Sequence, residues 1–486
     1  MKKILASALV LGAAVVGLHA TAGAATRDVN IYGASAQYLY WNDAADDFLR
    51  TKGCTITGQG ETTDKKHGVT VGNPCTGYSN DKVVIRYSAK ASMEGPNAIK
   101  CDDSLASSSE KCVTGDAGVP AGADPKCYRK MADETTLVGT VVNGKKCYDV
   151  TLGASDVAGS AFVQESHGQL KGPNGGGFVD RVLFPIDMTG YRAWNPTVVP
   201  FGFFANNSVT VTKCTAPDAN EPTAGAHKAI SAADNFCIPD ANGQSEDCIG
   251  YYKCVSGTCS GGVNVGQACT KATNCPDVAL SATSCESMPL QNLSRLMATM
   301  IFSGQAWYWS DFGGWFTSDP IVVCMRHAGS GTHAALYWTV MYGNWGAFPY
   351  TTESAGDPTV WFNDGSTDEM KCINTLTGAI GYADADQLEG TSNYANTHAL
   401  KYQCVEPRRT TIRNGLYDFW TTQWTYASAS EPPAIEQVMA DLMAFASSSV
   451  PASKAKYWAT GDEMVYMRAS EEVFPGYRGA INPLFP

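Results

Sequence analysis

Arg326-His327-Ala328-Gly329-Ser330-Gly331-Thr332-His333 is the stretch on which the reading of this chain turns. It follows the apolar, β-branched run Ile321-Val322-Val323-Cys324, which reads as a strand, and precedes the apolar-rich segment Ala334 to Met341. Strand, glycine turn and helix in that order are the building unit of an α/β fold. The small residues let the backbone approach a bound group closely. A helix opening at Ser330 aims unpaired N–H groups and the positive end of its dipole at that group. Ser330 and Thr332 add hydroxyls, Gly331 a backbone N–H, and Arg326 a planar cation suited to a tetrahedral oxyanion. Taken alone, the turn is also what a plain N-cap looks like.

Three other stretches have similar character. Val29 to Gly33 reads as a strand running into the turn Gly33-Ala34-Ser35-Ala36-Gln37-Tyr38. From there to Leu49, Tyr38, Trp41, Ala45 and Phe48 recur at spacings of three and four, predicting an amphipathic helix. Lys82 to Tyr87 predicts a second strand, followed by Ser88-Ala89-Lys90-Ala91-Ser92-Met93-Glu94-Gly95. Leu152-Gly153-Ala154-Ser155-Asp156 is the last of them.

The 486 residues, 44% hydrophobic and 17% charged with 48 Gly and 23 Pro, suffice for two or three globular domains. A formal charge of −12 argues against nucleic-acid binding, which needs clustered cations, so any bound anion must be held by a local constellation. Met1-Lys2-Lys3, an apolar run from Ile4 to Leu18 and the small residues Ala20 to Ala25 read as a secretory leader over 1–24. Its removal leaves 33 basic against 47 acidic residues, a net −14. The expected compartment is the periplasm, with secretion or surface association as alternatives.

All 17 cysteines follow the leader, which in an oxidising compartment implies disulfides, with at least one thiol left over or bonded elsewhere. Cys54 with Cys75, Cys101 with Cys112 and Cys127 with Cys147 lie in loop-like stretches suited to local pairing, with the connectivity left open by the sequence. The stretch 214–285 holds eight cysteines in 72 residues with few large apolar groups and reads as a disulfide-rich insertion. Its irregular spacings do not suit zinc, and the chain has no C-x-x-C-H haem motif.

In order, these turns resemble the solute-binding proteins of phosphate-specific ABC importers. Gly33 to Tyr38 matches that family's opening Gly-Ala-x-x-Thr/Phe turn. Ser92-Met93-Glu94-Gly95 partly matches its Ser-Ser-Gly-Gly turn, Gly153-Ala154-Ser155-Asp156 its Gly-Ala-Ser-Asp segment, and Arg326 to Thr332 its Arg-x-x-Gly-Ser-Gly-Thr. Ile301 to Gln305 with Trp309-Ser310-Asp311, Gly378 to Tyr382, and Thr411 to Tyr417 fit the same template.

The resemblance implies a two-lobed α/β periplasmic binding protein of type 2. Lobe 1 would comprise 27–184 and the return segment 404–486, and lobe 2 would comprise 185–213 and 286–403, with 214–285 inserted. An anion would sit in the cleft, at the strand C-terminal ends where open α/β sheets bind ligands. Its holders would be Arg326, Ser330, Gly331 and Thr332 from one side and Gln37, Tyr38, Ser92 and Asp156 from the other. The implied partners are inorganic phosphate or a related oxyanion and an inner-membrane ABC permease, for a monomer without cofactor, metal or catalytic residues.

Asp156 is the discriminating residue. A carboxylate beside an anion repels it unless the anion still carries a proton to donate, as hydrogen phosphate or arsenate does and sulfate does not. The plainer role for Asp156 is an Asx turn or N-cap. The chain departs from the family where Ala328 replaces an aspartate, Gln37 a threonine and Met93 a serine. A surface structural protein on the same scaffold and a secreted phosphoester hydrolase are the rival functions.

Overall fold

The computed structural model describes residues 25–169, 178–215, 285–313, 316–342, 348–352, 359–389 and 391–468, with short pieces at 229–230, 254–259, 266–268 and 476–477. The leader at 1–24 and most of the cysteine-rich stretch lie outside the described residues.

Two β-sheets organise an α/β chain. The first has nine strands, ordered Arg192–Trp194, Trp424–Ala427, Leu152–Ser155, Thr26–Ala34, Asp81–Lys90, His67–Cys75, Cys54–Glu61, Val141–Val142 and Leu137–Val138. Leu152–Ser155, Thr26–Ala34 and Asp81–Lys90 run parallel at its centre. Side chains alternate across Thr26–Ala34. Val29 and Ile31 join Trp41 and Phe48 of the helix Tyr38–Thr51, while Tyr32 joins Ala98 and Ile99 of the helix Glu94–Ile99. Covering both faces is what parallel strands require.

The second sheet follows the path Asn292–Leu293, Thr397–Tyr402, Thr197–Asn206, Ala379–Asp384, Val322–Arg326 and Val360–Asn363. All ten residues of Thr197–Asn206 are buried, and Val322–Arg326 is parallel to both its neighbours. Trp194 belongs to the first sheet and Thr197 to the second, while Thr422 belongs to the second and Trp424 to the first. The chain therefore crosses at Asn195–Pro196 and returns at Gln423. Thr210–Thr215 pairs antiparallel with Cys285–Pro289, so the cysteine-rich stretch leaves and rejoins at neighbouring points.

Cys54–Cys75 forms as expected. The other two local pairings are corrected: the bridges are Cys101–Cys127 and Cys112–Cys147. The hairpin of Tyr128–Ala132 with Lys145–Asp149 is responsible, because its register sets Cys147 opposite Lys130, away from Cys127. A bridge between Lys111 and Arg129 then lays Cys112 beside the hairpin. A further disulfide, Cys324–Cys372, ties Val322–Arg326 to the helix Ser366–Thr375.

Candidate functional site

The turns quoted from the sequence meet between the two sheets. The penultimate residue of Thr26–Ala34 is Gly33, whose φ of +135° and position, with any Cβ only 2.1 Å from the Ala154 carbonyl oxygen, admit glycine alone. The chain then winds through Ser35–Gln37 into Tyr38–Thr51. Gln37 is fully buried, and its amide orientation is fixed: Oε1 accepts from Trp41 Nε1 at 3.2 Å and from Gln423 Nε2, leaving Nε2 to donate. The acceptor is Asp156 Oδ1 at 2.8 Å.

Asp156 follows Leu152–Ser155 directly, and its other oxygen accepts from Ser92 Oγ at 2.9 Å. Its hydrogen bonds therefore run to side chains from two other turns, and an Asx-turn or N-cap role does not account for them. Burial pushes this carboxyl up to about 6, against the opposing pull of Gln37, Ser92 and Arg326.

Arg326 ends the strand Val322–Arg326 and is buried. Nη1 donates to Ser35 Oγ at 3.3 Å and Ser366 Oγ at 3.2 Å, and Nη2 to the Asp364 carbonyl at 2.8 Å. Among the described residues it makes no ion pair, and Nε has no acceptor. Ser330 is the N-cap of the short helix Gly331–Ala335 but makes no side-chain capping bond; its hydroxyl and that of Thr332 are buried and have no partner among the described residues. The N-cap alternative thus leaves the Ser330 hydroxyl unexplained. Between them, Gly331 lies against the opposite side of the cleft, where a Cβ would come 2.4 Å from Ser92 Oγ and 2.7 Å from Asp156 Cβ.

Two histidines flank this turn, both buried and both held neutral at pH 7. Burial, with help from Arg181 and Arg326, pulls His327 down to about 4; burial, with His327 and Arg326, pulls His333 down to about 3. The Tyr382 hydroxyl accepts from the Arg326 N–H at 3.3 Å and so has its own proton to give to His333 Nδ1 at 2.7 Å. His333 Nε2 is left as an unpartnered donor.

Of the residues singled out in the sequence, Gln37, Ser92, Asp156 and Gly331 are brought into contact. Arg326 reaches across to the Ser35 turn, and Ser330 and Thr332 flank Gly331. The Tyr38 side chain runs elsewhere, its hydroxyl donating to Glu61 Oε2 at 3.0 Å and its backbone N–H to the Ser35 carbonyl. Ser35 and Tyr382 were inside quoted motifs without being singled out. Ser366 and Gln423 carried no sequence signal, since only the tertiary fold brings them here. Cys112, Asp116 and Cys147 come within 4.8 Å of one another, but both sulfurs are committed to a disulfide. Among the described residues, no helix is long and apolar enough to cross a membrane.

No protein-family model matches the chain, and no curated protein matches it. Solved structures do. A chain with bound phosphate from Clostridium perfringens, assigned to the substrate-binding proteins of phosphate ABC transporters, is 12% identical, with TM-score 0.39, covering 85% of this chain and 92% of that one. An ABC-type phosphate transport receptor from Vibrio cholerae is 8% identical, with TM-score 0.37 and coverages of 86% and 93%. A phosphate-binding protein from Stenotrophomonas maltophilia is 11% identical, with TM-score 0.34 and coverages of 86% and 82%. With identities this low, what the cleft binds has to be read from its own donors and acceptors.

Proposed function

We propose that this chain is a solute-binding protein that captures a protonated tetrahedral oxyanion, inorganic phosphate or arsenate, in the cleft between its two lobes. One observation carries the reading: among the described residues, a buried guanidinium without a carboxylate partner, two buried hydroxyls without partners and the buried Asp156 carboxyl face one another across two sheets. Unmade hydrogen bonds of buried groups are expensive, and the cationic and hydroxyl donors are those a tetrahedral anion satisfies. Asp156, whose two oxygens each retain an acceptor site, accepts a hydrogen bond from the proton that hydrogen phosphate still carries. Sulfate has no such proton and would meet an uncompensated charge.

The role is holding rather than turnover. Together with the sequence motifs and the expected export, it suits delivery to an ABC permease. Titration calorimetry of the purified chain tests the reading. Phosphate and arsenate should bind one to one, with sulfate weaker by at least about tenfold, the scale of one lost charge-assisted hydrogen bond. No heat with any of the three discards it.

A further inference from the structure

A second guanidinium stands at the same turn, delivered by a segment the sequence motifs do not include. Glu165–Gln169 and Phe178–Val182 form an antiparallel hairpin that belongs to neither main sheet. It bridges to the second lobe, where the His167 N–H donates to the Thr351 carbonyl at 2.8 Å. Ser166 and Arg181 are directly opposite one another in its register, and so share one face. That face meets the loop after Arg326: Ser166 Oγ accepts from the Ala328 N–H at 2.8 Å. Arg181 Nη1 lies 3.5 Å from the Ala328 carbonyl and 3.3 Å from His327 Nδ1, and Nη2 lies 3.4 Å from the Leu105 carbonyl.

All three Arg181 contacts are long for hydrogen bonds of a charged donor, which usually fall near 2.7–2.9 Å. Among the described residues Arg181 makes no ion pair. The acidic groups whose charge acts on it are Glu94, which accepts from the Tyr32 hydroxyl at 2.7 Å, and Asp364, whose Oδ1 lies 3.7 Å from His327 Nε2. His327 itself is neutral and carries an unpartnered Nε2. Loss of solvent pulls the Arg181 pKa down, the mark of a cation that its surroundings do not repay. His327 is thus flanked by two guanidinium groups without carboxylate partners.

We propose that Arg181 is a second anion-contacting cation of the cleft, so that the ligand is held by two guanidinium groups, from Arg326 and from the hairpin, rather than by one. This rests on the oxyanion reading above and adds to it the residue that couples the hairpin to the ligand. The alternative is a strap, with Arg181 serving only to hold the Ala328 loop.

Phosphate calorimetry and ligand-free thermal melting of the wild type, Arg181→Gln and Arg181→Lys separate the two. The expected result is about 30-fold or greater loss of phosphate affinity in Arg181→Gln. Arg181→Lys should recover part of it, keeping the charge without the fork. The ligand-free melting temperature of Arg181→Gln should stay level or rise, because an unpaired charge has been removed. Wild-type affinity in Arg181→Gln overturns the proposal. So does an affinity loss that comes with a lowered ligand-free melting temperature and no recovery in Arg181→Lys. If the wild type itself gives no heat with phosphate, the underlying oxyanion reading fails and Arg181 falls with it; if the wild type binds and Arg181→Gln binds equally well, only Arg181 is removed.

Discussion

Replacing Gly331 by alanine adds one methyl group at a place where the two lobes are in contact. Its Cβ would lie 2.4 Å from Ser92 Oγ, 2.7 Å from Asp156 Cβ and 2.8 Å from Ser92 Cβ. No real Cβ tolerates such distances, and neither neighbour can turn away, since Ser92 and Asp156 are buried and bonded to each other. The lobes must therefore part by roughly 1 Å, or the turn must shift by as much. Forcing a methyl group into a packed site costs about 1–3 kcal/mol. If that cost falls on the closed form alone, phosphate affinity drops about 5- to 150-fold.

The same substitution has the opposite sign in the open form. Gly331 is the first residue of Gly331–Ala335 and has no positive φ, so alanine brings no backbone strain there. It stabilises by about 0.4–1 kcal/mol through the unfolded chain. Calorimetry should thus show weaker phosphate binding while ligand-free melting stays level or rises slightly. Undiminished affinity would refute the placement of Gly331 at the closing contact. A fall in affinity matched by an equal loss of ligand-free stability would refute it too, by showing that the methyl group disrupts the lobe itself.

Arg326→Ala should cost about 2–5 kcal/mol of phosphate affinity, read by the same titration. Asp156→Asn should narrow the gap between phosphate and sulfate, because an amide no longer repels an unprotonated anion; unchanged affinities for both would remove Asp156 from the site. Burial takes the Asp156 carboxyl from 3.8 up to about 6, so folding favours its neutral form. The stability this residue contributes is present below about pH 4 and lost as pH rises through 6, about 3 kcal/mol in all. Urea unfolding of the ligand-free chain should show that loss in the wild type and not in Asp156→Asn. Removing Cys324 and Cys372 together opens a link 48 residues apart and should destabilise the chain by about 4 kcal/mol, seen as a lowered melting temperature without a proportionate loss of phosphate affinity.

The parts of this fold legible in the sequence are those set by local pattern. Tyr38–Thr51 shows its helix through the spacing of Tyr38, Trp41, Ala45 and Phe48, and all four are buried. Thr26–Ala34, Asp81–Lys90 and Val322–Arg326 show as β-branched runs ending in glycine or small-residue turns. The turn after Leu152–Ser155 was legible as a motif, but only a 3-10 turn at Gly159–Ala161 follows it, so Asp156 is placed by its strand and not by a helix start. The helix expected to open at Ser330 does so, with Ser330 as its N-cap, but from Leu336 it widens into a π-helix. Pairings that depend on register between distant strands, such as Cys112–Cys147 or Ser166 opposite Arg181, leave no trace in local spacing. Gln423 was invisible for the same reason: it matters because the chain returns to the first sheet there, beside Gln37.

That residue shows how the cleft is held ready. Gln423 donates to Gln37 and accepts from the Thr197 hydroxyl, at the first residue of the second sheet's central strand. One buried amide thus joins the chain crossing to the group that orients Asp156. Preorganisation of this kind leaves a local deficit in the closed cleft until an anion fills it. Among the described residues, Arg326 Nε, Ser330 Oγ, Thr332 Oγ1 and His333 Nε2 are buried without partners, and each such group costs about 1–3 kcal/mol. Apolar residues of the same size would make a more stable protein, so the deficit is a property of the site and not of the fold. An anion that satisfies the donors removes it, and because the unfolded chain cannot bind, the gain appears as stability growing with the logarithm of ligand concentration. Affinity and the ligand-induced rise in melting temperature should therefore fall together in every variant of these residues, whereas removing the Cys324–Cys372 link, which offers the anion no donor, should lower the ligand-free melting temperature and leave both in place.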